Sequence, residues 1–184
     1  TNHERGGQDF VYPFEKMHFL DGFDTADRKF HFRADWERFG GRWQEMPVLP
    51  DHLDVIDNAT SDKPFRLVAA PARTFLNSTF TETPGSLKRE KRPTALIHPE
   101  DCAALGAAEG ERVQLGNERG EVIVHVKPRD GQQRGVVVVE GIWPNRYFEN
   151  GIGINALTSA EPGWPNGGAV FHDTAVWIRR VKTG

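Results

Sequence analysis

From residue 64 onward the apolar residues fall into short runs, each closed by glycine, proline or a polar cluster. Runs at 65–69, 94–97, 112–115, 121–127, 135–140 and 175–181 have the length of strands and are rich in valine. In 121–127, Val122, Val124 and Val126 alternate toward one face, with Ile123 and His125 opposite. The unbroken valines of 135–140 suggest a strand covered on both faces. In 175–181, Val176 and Ile178 face inward. Asn117-Glu-Arg-Gly120 reads as a four-residue hairpin connection. Between 98 and 106 a short helix is expected. Pro99 suits its first position, Glu100 and Asp101 suit the positive end of its dipole, and Gly106 ends it. Cys102 falls on its buried side. The fold expected is mainly β, a six-stranded barrel with one or two short helices, and the 19 glycines and 12 prolines agree with a loop-rich chain.

Residues 1–63 read differently. Aromatic clusters (Phe10, Tyr12, Phe14; Phe19, Phe23; Phe30, Phe32, Trp36) alternate with charge, and Pro47 and Pro50 mark a linker over 40–63. Short strands are expected at 17–20 and 29–32, and a helical turn at 34–39. Too little aliphatic periodicity exists for a core of its own, so 1–63 is expected to be an extended segment of a preceding domain, with the barrel domain over 64–184. The chain begins without Met and reads as part of something longer.

Composition removes several function classes. A net charge of −3 offers no basic field for nucleic acid or an anionic membrane. No apolar run approaches the roughly 18–20 residues that span a bilayer. One cysteine excludes an internal disulfide and suits a cytoplasmic setting, with a periplasmic one left open. The seven histidines show no metal-ligand spacing, and there is no Gly-x-Ser-x-Gly, no phosphate-loop lysine motif and only a partial Gly151-Ile-Gly153. Gly85-Ser86 reads as a turn.

Two long loops, 70–93 and 141–174, carry the unusual composition. The first, read as irregular throughout, offers Arg73, Asn77, Ser78 and Thr79, a cation, an amide and hydroxyls able to hold a pyrophosphate and ribose. It could equally be a surface loop with a local Asx or Ser/Thr turn. The second offers Asn155 and Glu161, which can read a purine edge, and Trp143 or Trp164, which could stack on a planar ring or simply plug the barrel end.

The order of features is specific. Thr94-Ala-Leu-Ile-His-Pro-Glu-Asp-Cys-Ala-Ala-Leu-Gly, Glu109-Gly-Glu-Arg-Val-Gln-Leu, Asn117-Glu-Arg-Gly-Glu-Val, Asn155-Ala-Leu-Thr and Gly168-Ala-Val-Phe-His-Asp-Thr follow one another. Together they resemble the molybdopterin-dinucleotide-binding domain that ends the large subunits of formate dehydrogenase-like, nitrate reductase-like and dimethyl-sulfoxide-reductase-like enzymes. The resemblance implies a double-psi β-barrel and the cofactor molybdopterin guanine dinucleotide around Mo or W, with any iron–sulfur cluster in upstream domains. It implies no catalytic residue and no metal ligand in this chain, and as partners the remaining domains of the same large subunit. By resemblance the first cofactor loop comprises Ala70, Pro71, Ala72, Arg73, Asn77, Ser78 and Thr79. The second comprises Asn155, Glu161, Phe171, His172 and Asp173. Two departures stand out: Leu76-Asn77 where His or Trp-His is common, and Arg28 where Gly is usual. The competing reading is a double-psi barrel that binds a protein or peptide without cofactor.

Overall fold

The computed structural model describes residues 13–53, 57–164 and 167–181, the side chain of Asp173 excepted. Phe10, Tyr12, Pro165 and Asn166 lie outside them. The chain divides between residues 53 and 54 into two compact units.

In the first unit no described residue is buried. Its elements are α1 (Phe14–Met17) and two 3-10 helices, Glu37–Phe39 and Gly41–Glu45. Neither 17–20 nor 29–32 is a strand. Residues 17–20 end α1 and turn, and the 23–28 bend is closed locally, with Arg28 N donating to Thr25 O and Phe23 N to Arg28 O. The expected helical turn at 34–39 is confined to its last three residues. Trp36 stacks on Trp43 at 5.3 Å and donates from Nε1 to Pro47 O (2.8 Å).

The second unit is a closed barrel. Its strands are β1 (Phe65–Ala70), β2 (Thr94–Ile97), β3 (Arg112–Asn117), β4 (Gly120–Pro128) and β5 (Val136–Glu140). After them come the two-residue pair β6 (Pro162–Gly163) and β7 (Gly168–Ala169), and finally β8 (His172–Arg180). The barrel order is β1-β5-β2-β4-β3-β8. β1 runs parallel to β5 and β2 parallel to β4, while the remaining pairs are antiparallel. Two interlocked parallel pairs in a six-stranded barrel make the double-psi arrangement.

The core follows the alternation written in the strands. Val122, Val124, Val113, Leu115, Val137, Val139 and Val176 are fully buried, each worth about 1.5–3 kcal/mol of transfer free energy. β5 alternates as well. Val137 and Val139 are buried while Val136 and Val138 are half-buried, so only one face is fully covered. The β3–β4 connection is shorter than expected, with Glu118 and Arg119 alone between the strands. The last strand starts earlier, at His172, because Val68 of β1 pairs with it across a bulge.

Two helices accompany the barrel. α3 (Pro99–Leu105) starts at Pro99 and ends at Gly106, which takes the left-handed conformation (φ 63°). Asp101 is buried on it and accepts from Gly135 N (2.8 Å) and Arg134 Nε (3.2 Å), fixing the turn that leads into β5. Cys102 is buried, its thiol pushed up by burial and by neighbouring Asp101. α2 (Pro84–Glu90) lies inside the stretch read as irregular, with Thr83 as its cap and Pro84 in its first turn. Gly85-Ser86 is therefore the start of a helix and not a free turn. No helix among the described residues is long and apolar enough to cross a membrane.

Candidate functional site

Strand direction decides where the two long loops emerge. β1 and β5 are parallel, so Ala70 and Glu140, which are register partners, leave the barrel at the same end. β8 is antiparallel to β1, so it enters at that end, with His172 beside Val68. The β3–β4 hairpin turns at this end too, since β3 runs antiparallel to β8 and so ends toward the side where β8 begins. One rim of the barrel thus gathers the first loop, both ends of the second, and a hairpin corner.

Backbone bonds tie the loops together. Gly141 N donates to Ala70 O (2.7 Å) and Ile142 N to Asn77 O (3.1 Å). Phe75 is buried beneath them, and its ring occupies the space that a Cβ at Gly141 would need. Beyond Phe75 the first loop makes a tight turn. Leu76 and Thr79 exchange both backbone bonds (3.0 and 2.6 Å) around Asn77 and Ser78. Asn77 holds φ at 46°, a left-handed value that asparagine tolerates better than most residues.

A second set of bonds stiffens this scaffold from behind. Ser86 Oγ donates to Thr74 O (2.9 Å), Thr74 Oγ1 to Glu90 (2.7 Å), and Thr81 Oγ1 to Ser78 O (3.2 Å). Glu82 of the first loop pairs with Arg146 of the second. The second loop is held at the hairpin corner. Buried Asn117 donates from Nδ2 to Leu157 O (2.8 Å) and Ala175 O (3.4 Å), and accepts from Arg119 N (3.0 Å). Arg119 Nε also donates to Leu157 O (2.9 Å), and its guanidinium grips the buried carboxylate of Asp57. Sequence reading missed these groups. Thr83-Pro84 was an available signal for the helix that carries Ser86 and Glu90, but nothing local marks Asn117 as more than a turn residue.

The expected ligand-binding side chains divide sharply. Pro71, Arg73, Asn77, Ser78, Thr79, Asn155, Glu161, Phe171 and His172 are exposed. Ala72 is buried and belongs to the core, so only its backbone could meet a ligand, and Ala70 is half-buried with its carbonyl already used. Asp173 lies in β8, its side chain outside the described residues. Among the described residues, the side chains of Arg73, Asn77, Ser78, Thr79, Asn155 and Glu161 make no hydrogen bond or ion pair. Their neighbours Thr74, Thr81, Thr83, Ser86 and Thr158 are all committed within the fold. Of the two tryptophans, Trp143 is buried between Phe75 and Tyr147 and plugs the barrel end, whereas Trp164 is exposed. No cluster of three or more His, Cys, Asp or Glu that could hold a metal occurs among the described residues.

Comparison with known proteins places this geometry. The family model described as "Molydopterin dinucleotide binding domain" matches residues 65–175. "Probable oxidoreductase YoaE" of Bacillus subtilis (strain 168) is 32% identical over 136 residues, covering 74% of this chain and 20% of that protein. "Dimethyl sulfoxide reductase DmsA" of Escherichia coli (strain K12) is 28% identical over 154 residues, covering 80% of this chain and 19% of that protein. The chain thus spans about a fifth of the length of these relatives. The solved structure of acetylene hydratase from Pelobacter acetylenicus superposes with a TM-score of 0.66 at 17% identity, over 87% of this chain and 24% of that one, a likeness of fold.

Proposed function

The chain belongs to the molydopterin dinucleotide-binding domain family, and from that premise we propose that its rim loops hold the guanine form of the dinucleotide within a larger Mo or W oxidoreductase. The carrying observation is the set of six uncommitted polar side chains at one end of a barrel whose neighbouring hydroxyls are already bonded. The donor set fits the group. Ser78 and Thr79 hydroxyls and the Arg73 guanidinium suit the oxygens of a pyrophosphate. Asn77 and Asn155 offer both donor and acceptor, and Glu161 can accept from the ring N–H and amino group of guanine. When bound, the group supplies the redox-active metal centre, and the protein contributes orientation and electrostatics. This chain's residues bind and orient, and none need transfer a proton.

The remaining domains of the same large subunit are the partners in this reading; the segment before residue 54 belongs structurally to them, and the barrel unit from 54 onward forms the cofactor domain. A length about one fifth of the relatives' supports it. The single, buried Cys102 supports a cytoplasmic setting.

Titrating the 184-residue chain with GDP and with CDP, followed by backbone amide NMR, tests the assignment. GDP should shift amides at 70–79, 155–161 and 171–173 more strongly than CDP does, and Asn77→Ala with Asn155→Ala should weaken the response. Shifts elsewhere, or equal responses to both nucleotides, would overturn the guanine-reading assignment.

A further inference from the structure

Where the first loop returns to the barrel, a cleft lies between the end of α2, the turn into β2, the second half of β4 and Trp143 at the start of the second loop. Arg89, Lys91, Arg92, His125 and Lys127 line it. Two routes bring them together. The run Lys88-Arg89-Glu90-Lys91-Arg92 ends α2, and Lys91, at a positive φ of 65°, redirects the chain toward β2. His125 and Lys127 stand two apart on β4 and so share the face opposite the buried Val124 and Val126. Arg92 lies against Gly110, where an added Cβ would stand 3.6 Å from Nη2.

Four cations and three carboxylates line the cleft, and among the described residues none of the four cations is held in an ion pair. Among the described residues Arg89, Lys91, Arg92 and Lys127 make no ion pair, in a chain whose acids outnumber its bases by 26 to 23. Glu90, Glu109 and Glu140 also line the cleft. Glu90 accepts from Thr74 and keeps its charge, and among the described residues none of the three comes within ion-pair distance of a cation, so the lining stays net positive by one.

His125 adds an independent observation. Its Nδ1 is buried without a hydrogen-bond partner, and its Nε2 stands 3.8 Å from Glu149 Oε1. Burial first, then the field of Arg92, holds the imidazole below its ordinary pKa, against the opposing pull of the Pro93 carbonyl and Glu149. Nδ1 has no exposed surface, so the Nε2 edge is the part of the ring that a molecule in the cleft could meet.

We propose that this cleft is an oxyanion site, formed by none of the side chains assigned to the dinucleotide, which takes the phosphate or carboxylate group of a small molecule against Arg92, Lys127 and the Nε2 edge of His125. The arginine fork supplies paired donors, the lysine a point charge, and the ring N–H a directional third contact.

The test uses the 184-residue chain at constant ionic strength, titrated separately with inorganic phosphate and with citrate. Calorimetry gives affinity and stoichiometry, and ring 1H–15N correlations of His125 report the site. One saturable site is expected in at least one arm, and the tighter arm identifies phosphate or carboxylate as the group bound. Arg92→Gln with Lys127→Gln should weaken it at least about tenfold, roughly 1.4 kcal/mol. Both residues are exposed, and circular dichroism checks that the fold survives. Lys127→Gln alone should weaken binding in the same direction. Asn77→Ala with Asn155→Ala should leave it unchanged. The proposal is overturned by no saturable binding up to about 10 mM, by unaltered affinity in the Arg92/Lys127 variant, or by loss of binding in the Asn77/Asn155 variant.

Discussion

Single residues show where local pattern suffices and where it fails. The inward faces of β4 and β8 were readable, because an alternating valine series has one way to lie on a barrel wall. Trp143 was not, since a tryptophan in a Gly- and Pro-rich loop looks the same whether it stacks on a ligand or on Phe75. The same contact makes Gly141 irreplaceable. An alanine there would collide with the Phe75 ring, stand 3.2 Å from Ala72 Cβ and sit at φ 79°. Gly141→Ala should lower stability by about 2–4 kcal/mol, read as a reduced urea midpoint. His125 makes a pH prediction. Its pKa is lowered in the folded state, so the unfolded chain binds more protons as pH drops below about 6.5. Its contribution to stability is therefore full above that value and is lost as pH falls through the window. Unfolding midpoints measured on both sides should fall more steeply for wild type than for His125→Gln, and parallel slopes would count against it.

Among the elements, α3 was legible because Pro99, two acids and Gly106 all agree on its ends. α2 was not, because Gly85 and Ser86 are indifferent helix formers and the surrounding hydroxyls suggested a ligand loop. Those hydroxyls divide between exposed ones and ones bonded within the fold, a split that only three-dimensional neighbours can decide. The β3–β4 hairpin is the clearest example. Read as a turn, it is also the clamp on the second loop through Asn117 and Arg119. Asn117→Ala would leave the buried Leu157 carbonyl with Arg119 alone, at a cost of about 1–3 kcal/mol. Amide exchange should quicken at Ala156 and Thr158, whose N–H groups close the Ile154–Leu157 turn, while β2 amides stay protected. Uniform acceleration across the barrel would instead mark Asn117 as a general stability residue.

For the whole molecule, strand number and class were legible, but the closing order of the strands was not. Nothing in the sequence states that β1 runs parallel to β5, and that pairing is what sends both loops to one rim. The barrel owns its core, whereas residues 13–53 bury none. A polypeptide of residues 54–184 should therefore unfold in one cooperative transition and keep the GDP response of the longer chain. A broad or probe-dependent transition would show that the first unit supports the barrel. Finally, β1 is completed by β8, with Phe65 paired to Val176. Sequence-distant pairing forms only after the intervening loop is paid for in entropy. During synthesis the rim consequently stays open until β8 has left the ribosome. A product that stops short of β8 should therefore lack the closed rim, however well its earlier strands have formed.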